Sequence, residues 1–417
     1  MGAAAVGAAE LCKVGEPSGV SRRLAMSDRI LIVGASGRAA AGSALRAGFE
    51  PFVIDLFADA DTVRLCPTLK CDPAGYPHGF VELAKQAPPG PWMYTGGLEN
   101  HPEVIAAISQ KRELWGNGPE HFPNVRDPFR LFATYTAYGL DCPLVCPIAG
   151  PSPRGLLWLS KQFASGGGRG VKEYKYSPIG PRTGDYLQEF IVGDPVSALF
   201  LSMPWRVYFL GMASQLVGTP WLHARPFEYA GNIGPLTPTD TERATAERLG
   251  FAVTQSALKF GYFGIDLVRA ESGLMAIEVN PRYTASIEVY EMASRTASLR
   301  WHVDCATCVE ANPDEPWSEP TEFAAPHVVG KAIYYAAKSI TFPASGPWDD
   351  SLARCRDVWH PHDFADIPHP GTRIEPGQPV FTLFAAAPTE AECIHQLKAK
   401  AAECDRLFGV PTPEDDP

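Results

Sequence analysis

Apolar residues in this chain come in short runs broken by glycine and proline, and the period of the runs changes along its length. Arg29–Val33 is an apolar strand, Gly34-Ala35-Ser36-Gly37-Arg38 a turn, and an Ala-rich helix continues to about Ala47 before a second strand at Glu50–Asp55. Strand, helix and strand in that order predict a βαβ unit with a parallel sheet. Trp92–Thr95 reads as a further strand running into Gly96-Gly97-Leu98-Glu99, followed by a helix at Val104–Ser109 and a strand at Leu114-Trp115-Gly116. These elements make one α/β unit over 28–122.

The pattern then turns to a helix at Phe129–Tyr138 that stops at Gly139, a short apolar segment from Pro143, and a loop at Pro151-Ser152-Pro153. Leu156–Gln162 is a strand carrying Lys161, and Ser165-Gly166-Gly167-Gly168-Arg169-Gly170 is a flexible loop leading into extended chain at Val171–Tyr174. A hairpin with a Gly-rich tip can lay its backbone N–H groups along phosphates. A strand over Tyr186–Val192 precedes paired antiparallel strands at Val196–Leu201 and Val207–Met212. Thr241–Lys259 has helical periodicity with Thr239 or Asp240 as N-cap, and Ile287–Ser294 is helical. Residues 311–325 read as a linker. Val328–Ala336, Gly377–Phe384 and the amphipathic helix Thr389–Leu407 predict a small α+β tail over 326–410.

The densest chemistry lies at Gly264-Ile265-Asp266-Leu267-Val268 and Glu278-Val279-Asn280-Pro281-Arg282, joined by Glu271-Ser272-Gly273. Two neighbouring strands would bring Asp266, Glu278 and Asn280 to one face, because alternate residues of a strand point the same way. Oxygen ligands suit a hard cation such as Mg²⁺, which also takes substrate phosphates, and Arg282 has the planar fork that suits a phosphate. An acid alone could be a turn residue or a lysine's partner. Three polar groups inside apolar strands argue instead for a site, because such groups are costly unless paired or metal-bound.

Composition narrows the classes. With 417 residues, 45% of them hydrophobic, the chain can bury more than one core. A net charge of −11 argues against a broad nucleic-acid footprint, and no apolar run is long enough for a bilayer. The ten cysteines are scattered in a chain too large to need disulfides, which predicts reduced thiols and a cytoplasmic protein. Cys305 and Cys308 form a lone CxxC beside His302, short of the four ligands of a zinc site. Residues 1–27 read as a disordered leader. Gly34 and Gly37 fit a dinucleotide fingerprint loosely, with Asp55 where a ribose-binding acid would stand. A tight strand-to-helix turn is the simpler reading.

Taken in order, the Gly-containing α/β unit, the strand lysine, the Gly loop, Gln188-Glu189-Phe190-Ile191 and the Asp266/Glu278-Val-Asn-Pro-Arg pair resemble the ATP-grasp ligases over about residues 28 to 305. The Glu-Val-Asn-Pro-Arg run is similar to the carbamoyl-phosphate synthetase branch and to ATP-dependent carboligases. The resemblance implies an ATP-grasp fold of α/β and α+β character. It has a Rossmann-like pre-ATP-grasp unit at 28–122, the ATP-grasp domain at 123–310 with a lid about 140–192, and the small α+β tail.

The resemblance also implies roles. Lys161 would contact nucleotide phosphates, and Ser165, Gly166, Gly167, Gly168 and Gly170 would cover them. Glu189, Phe190 and Ile191 would meet adenine, and Asp194 the ribose. Asp266, Glu278 and Asn280 would hold Mg²⁺ or Mn²⁺, and Arg282 would steady the transferred phosphoryl group. His223, Arg225 and Asn232 fall between lid and metal strands, either lining the acceptor pocket or forming a surface loop.

The chain departs from the pattern where a second lysine is expected. Pro128 stands there, with Arg126 or Arg130 as replacements, and Gln162 rather than proline follows Lys161. Tyr283-Thr284-Ala285-Ser286-Ile287-Glu288 replaces the run expected of a biotin carboxylase. The implied activity is an ATP- and Mg²⁺-dependent ligase that converts a small carboxylate to an acyl phosphate for attack by an amine such as a glutamate-type amino acid. Bicarbonate activation through carboxy phosphate, or a non-catalytic ATP sensor, are the alternatives. The partners implied are small molecules, with no nucleic acid or membrane, and the tail could make a homodimer contact.

Overall fold

The computed structural model describes residues 28–147, 156–175, 184–256, 258, 260–307, 319–360 and 362–411. The leader, the Pro151-Ser152-Pro153 loop, Lys259, Cys308 and residues 311–318 of the linker lie outside the described residues.

The βαβ opening forms as its pattern requires. Arg29–Gly34 lies parallel to Glu50–Asp55, and a four-stranded sheet follows in which the second-next strand, Trp92–Tyr94, sits on the other side of the first. The strand order therefore reverses beside Gly34, and the crevice at the carboxyl ends of Arg29–Gly34 and Trp92–Tyr94 is a topological switch point. Leu114 contributes only an isolated bridge to Trp92, so the third apolar run does not extend into a strand. Gly37 has its amide on Asp55 Oδ2 at 2.7 Å, while Phe57 and Ala58 amides reach Asp55 Oδ1 at 2.7 and 2.8 Å. Asp55 thus holds the turn together.

The largest sheet has eight strands. In spatial order its first six are Gly273–Asn280, Gly261–Ala270, Asp194–Met203, Arg206–Val217, Tyr229–Leu236 and Val328–Tyr335. Pro379–Ala387 and Phe364–Ala365 complete it. The tail strands therefore extend the central sheet rather than standing beside it as a sheet of their own. Their main-chain groups find partners on Tyr229–Leu236, whose edge would otherwise be bare.

Strand alternation sorts the two faces of this sheet. Val196, Ala198, Phe200, Phe263, Ile265 and Leu267 face one way, under the helices Asp240–Ser256 and Pro128–Ala137. Phe200 stacks on Phe263 at 5.0 Å, and burying such a ring contributes about 2 kcal/mol. Leu199, Leu201 and Tyr262 face the other way, against the N-terminal unit and the helices Ser286–Ser294 and Leu299–Thr307. The second face carries Asp266, two residues beyond Gly264 on the same strand.

The long helix is described over Asp240–Ser256, and Leu258 beyond it is not helical. Thr239 caps it in a reciprocal box, with its Oγ1 accepting from the Glu242 amide at 3.2 Å and Glu242 accepting from the Thr239 amide at 2.8 Å. A separate four-stranded antiparallel sheet forms in the region expected as the lid, in the order Val145–Pro147, Asp185–Glu189, Trp158–Gln162, Lys172–Glu173. Among the described residues no helix is long and apolar enough to cross a membrane.

Candidate functional site

Register brings the acidic pair together. Asp266 lies opposite Glu278, and Gly264 opposite Asn280, on adjacent antiparallel strands. All three polar side chains share the face that looks toward the N-terminal unit. Asn280 donates Nδ2 to Asp266 Oδ2 at 2.9 Å, and Gln215 donates Nε2 to Asp266 Oδ1 at 2.8 Å. Burial, with Glu278 close by, pushes the Asp266 carboxyl up to about 6. Burial works to raise Glu278 as well, yet Arg126 and Lys161 hold it below the usual range.

Three buried cations converge on these acids. Arg282 donates Nη2 to Asn280 Oδ1 at 3.0 Å and Nε to Glu99 Oε1 at 2.8 Å. Glu99 comes from the turn after Trp92–Tyr94, so Arg282 spans from the strands Gly261–Ala270 and Gly273–Asn280 to the switch-point crevice. Arg126 pairs through Nη1 with Glu278 Oε1. Lys161, 7% exposed, faces Tyr186 in the lid sheet and has Gln188 Oε1 as its hydrogen-bond acceptor at 3.2 Å. Burial lowers its pKa, with Glu278 and Asp266 acting against that. A buried ammonium whose nearest acceptor is a neutral amide is suited to receive an anion.

The Gly loop is docked on this cluster. Gly167 O accepts from the Tyr229 amide at 3.1 Å, and Ser165 O accepts from Arg126 Nη2 at 3.0 Å. Gly168 has φ +75°, and a Cβ there would come within 1.7 Å of the Phe227 carbonyl oxygen. Only glycine permits both the left-handed backbone and that approach.

Other expected positions separate. Glu189 and Phe190 amides donate to Leu144 O and Leu157 O, each at 2.8 Å, so these two N–H groups are used within the lid. The strand ends at Glu189 rather than Val192 because the chain leaves the lid sheet there. Asp194 is exposed and pairs in register with Arg269. His223, on a left-handed residue, bonds Asp405 Oδ1 at 2.8 Å on the last helix, and Arg225 is exposed and packs near Gly377. Both make these contacts with the tail, so neither is placed as an acceptor-pocket group. Asn232 differs: it lies opposite Gln215 and Lys331 and donates to Ser197 Oγ at 3.4 Å and Ser214 O at 3.3 Å.

Glu278, Asp266, Ser197, Gln215, Asn232 and Lys331 thus form a polar row across six strands of one face. A register shift between Leu216 and Val217 re-aims Tyr229, whose hydroxyl reaches Asn232 Oδ1. Sequence reasoning did not single out Glu99 or Gln215, and Tyr229 entered it only as part of the Tyr229-Ala230-Gly231-Asn232 run expected at the acceptor pocket. Of the first two, only Glu99 carried a signal, an acid directly after a strand and two glycines.

Asp266, Glu278 and Asn280 fit a hard cation in donor chemistry. Two half-buried carboxylates and an amide oxygen leave positions for phosphate and water, as Mg²⁺ prefers. Among the described residues no group of three or more His, Cys, Asp or Glu side chains could hold a metal by itself. His302 has both ring nitrogens taken, by the Tyr262 amide and Trp115 O, each at 3.0 Å.

Comparison with known proteins accords with this geometry. Residues 131–286 match the family described as the ATP-grasp domain. The chain is similar in structure to the L-amino acid ligase from Bacillus licheniformis, at 14% identity and TM-score 0.63 over 90% of this chain and 97% of that one. It is also similar to N5-carboxyaminoimidazole synthetase from Staphylococcus aureus complexed with ADP, at 14% identity and TM-score 0.63 over 90% and 97%. A third is the biotin carboxylase domain dimer of Hydrogenobacter thermophilus 2-oxoglutarate carboxylase in complex with MgADP, ADP and bicarbonate, at 15% identity and TM-score 0.66 over 91% and 90%. No curated protein sequence matches the chain. The chain carries an ATP-grasp domain and has the fold of the ATP-grasp superfamily.

Proposed function

We propose that this protein is an ATP- and Mg²⁺-dependent ligase that activates a small carboxylate as an acyl phosphate for attack by an amine. The observation that carries the reading is the convergence of Lys161, Arg126 and Arg282 on the half-buried Asp266 and Glu278. A carboxylate is a poor electrophile, and phosphoryl transfer to it needs positioning and charge neutralisation more than a protein nucleophile.

Asp266 and Glu278, with Asn280, would hold the divalent ion. Bound there, the ion supplies charge neutralisation on phosphate oxygens. Lys161 and the Gly loop would bind the polyphosphate from the lid side. Arg282, fixed by Glu99, would bind the acceptor oxygen or the transferred group from the switch-point side. The docked loop, with Tyr229 and Phe227 beneath it, would exclude water from an intermediate that hydrolyses readily. Asn232 and the Tyr229 hydroxyl would face the carboxylate to be activated.

The test is ADP and phosphate release on a panel of carboxylates paired with amino acids. Turnover that requires both partners supports the proposal. Bicarbonate-stimulated turnover without an organic acid would reassign it to carboxy phosphate formation. A purified protein that never binds ATP with Mg²⁺ would exclude both.

A further inference from the structure

Arg126 connects three parts of the molecule. It stands between the helices Phe122–Val125 and Pro128–Ala137. Its Nη1 pairs with Glu278 Oε1 and donates to Val279 O at 3.2 Å, on the metal strands. Its Nη2 donates to Ser165 O at 3.0 Å in the Gly loop and to Asn100 Oδ1 at 2.9 Å in the N-terminal unit. Its Nε is buried with no hydrogen-bond partner. Arg130, by contrast, is exposed, and its side chain meets Asn124 on the preceding helix and the N-cap Asp127 of its own.

Arg126 on Glu278 Oε1 takes up an acceptor position for which a divalent ion would have to compete. Arg126 also places a full positive charge where a dication would enter, in a half-buried region where solvent screens it only in part. A polyphosphate alters both terms. It offers the guanidinium stronger acceptors than a main-chain carbonyl and an amide, and it brings its own negative charge to the ion.

We propose that Arg126 is a positioning residue that occupies the cation's place on Glu278 in the nucleotide-free protein and moves onto the polyphosphate when it arrives. Metal entry is thereby made conditional on nucleotide, and the Gly loop, tied to the same guanidinium through Ser165, responds to the same event. The inference rests on the nucleotide-site reading above and adds an order of binding to it.

The test compares wild type, Arg126→Gln and Arg126→Lys by Mn²⁺ titration followed by electron paramagnetic resonance at pH 8, with and without ADP. ADP binding is measured separately by calorimetry in chelator. Wild type takes up Mn²⁺ weakly alone and tightly with ADP. Arg126→Gln binds Mn²⁺ alone about tenfold or more tightly than wild type, because one repelling charge is gone. It binds ADP about tenfold more weakly, having lost a charge-assisted bond. Arg126→Lys keeps the charge and stays near wild type in Mn²⁺ affinity.

A merely structural arginine would lower both affinities on replacement. Arg126→Gln with Mn²⁺ affinity unchanged or reduced, while wild type still binds Mn²⁺ with ADP, overturns the inference alone. Wild type that takes up no Mn²⁺ even with ADP overturns the nucleotide site itself.

Discussion

Glu278 is half-buried, and Arg126 and Lys161 hold its carboxyl below the usual range. Glu278→Gln removes the charge that both cations answer and one of the two carboxylates available to a cation. Turnover should fall by at least about a hundredfold, with a loss of roughly 3 kcal/mol of stability from the uncompensated cations. Steady-state kinetics and urea unfolding measure the two, and unchanged turnover would reject the assignment. His302 makes a separate prediction. Its imidazole is pushed down to about 4 by burial, from a usual 6.5. Between those values the unfolded chain binds the proton and the folded one does not, so stability is full above about pH 6.5 and is lost as pH falls toward 4. The loss from this group is roughly 3 kcal/mol, and the stability–pH slope in that window should flatten in His302→Gln. An equally steep slope in the variant would show that the acid sensitivity lies elsewhere. The residues of the Glu-Val-Asn-Pro-Arg run were legible because strand alternation dictates which of them share a face. Arg126 was legible only as one of two replacements for a missing lysine, since nothing local distinguishes it from Arg130. The difference is burial, which the fold decides.

Among the elements, the Gly loop is the one whose geometry most constrains function. Gly167 and Gly168 both have positive φ, at +63° and +75°, but only Gly168 meets the Phe227 carbonyl. Gly168→Ala should therefore lift the loop off the Phe227–Tyr229 segment and raise the KM for ATP about tenfold, with the melting temperature nearly unchanged. Gly167→Ala, with open space around its Cβ, should cost only the backbone penalty of about 1 kcal/mol. Equal effects of the two substitutions would show that the docking contact does not matter. Composition was enough to expect a mobile glycine tip, whereas its seat on Phe227 comes from a turn about 60 residues away, a distance over which local pattern carries no information. The tail illustrates the same limit. Its strands were readable as strands, but the partner of Val328–Tyr335 is Tyr229–Leu236, and alternation within a strand does not name its neighbour.

For the whole molecule, a buried ionic cluster binds the N-terminal unit, the central layer and the tail. Arg38 makes two bonds to Glu288, at 2.6 and 2.9 Å, and two to Asp366, at 2.7 and 3.4 Å, while Lys331 reaches Glu288 at 2.8 Å. Asp61 accepts from the Asp366 and Ile367 amides at 2.8 and 3.0 Å. Burial alone would raise the Glu288 carboxyl, and Arg38 and Lys331 hold it far below the ordinary range. Glu288→Ala leaves two cations buried with less countercharge and should destabilise the protein by roughly 3–5 kcal/mol in urea; a change under about 1 kcal/mol would mean the cluster is not a structural joint. Arg38 and Glu288 are 250 residues apart, so the pairing could not be read from the chain.

The central claim is that Asp266 and Glu278 share a divalent ion with the polyphosphate of a bound nucleotide. It is tested most directly by a crystal structure of the protein with Mn²⁺ and a non-hydrolysable ATP analogue, with data collected for anomalous scattering. The account predicts an anomalous peak about 2.0–2.3 Å from oxygens of both carboxylates, with the phosphates between it and Lys161. A nucleotide bound elsewhere, or a manganese peak that touches neither side chain, would contradict it.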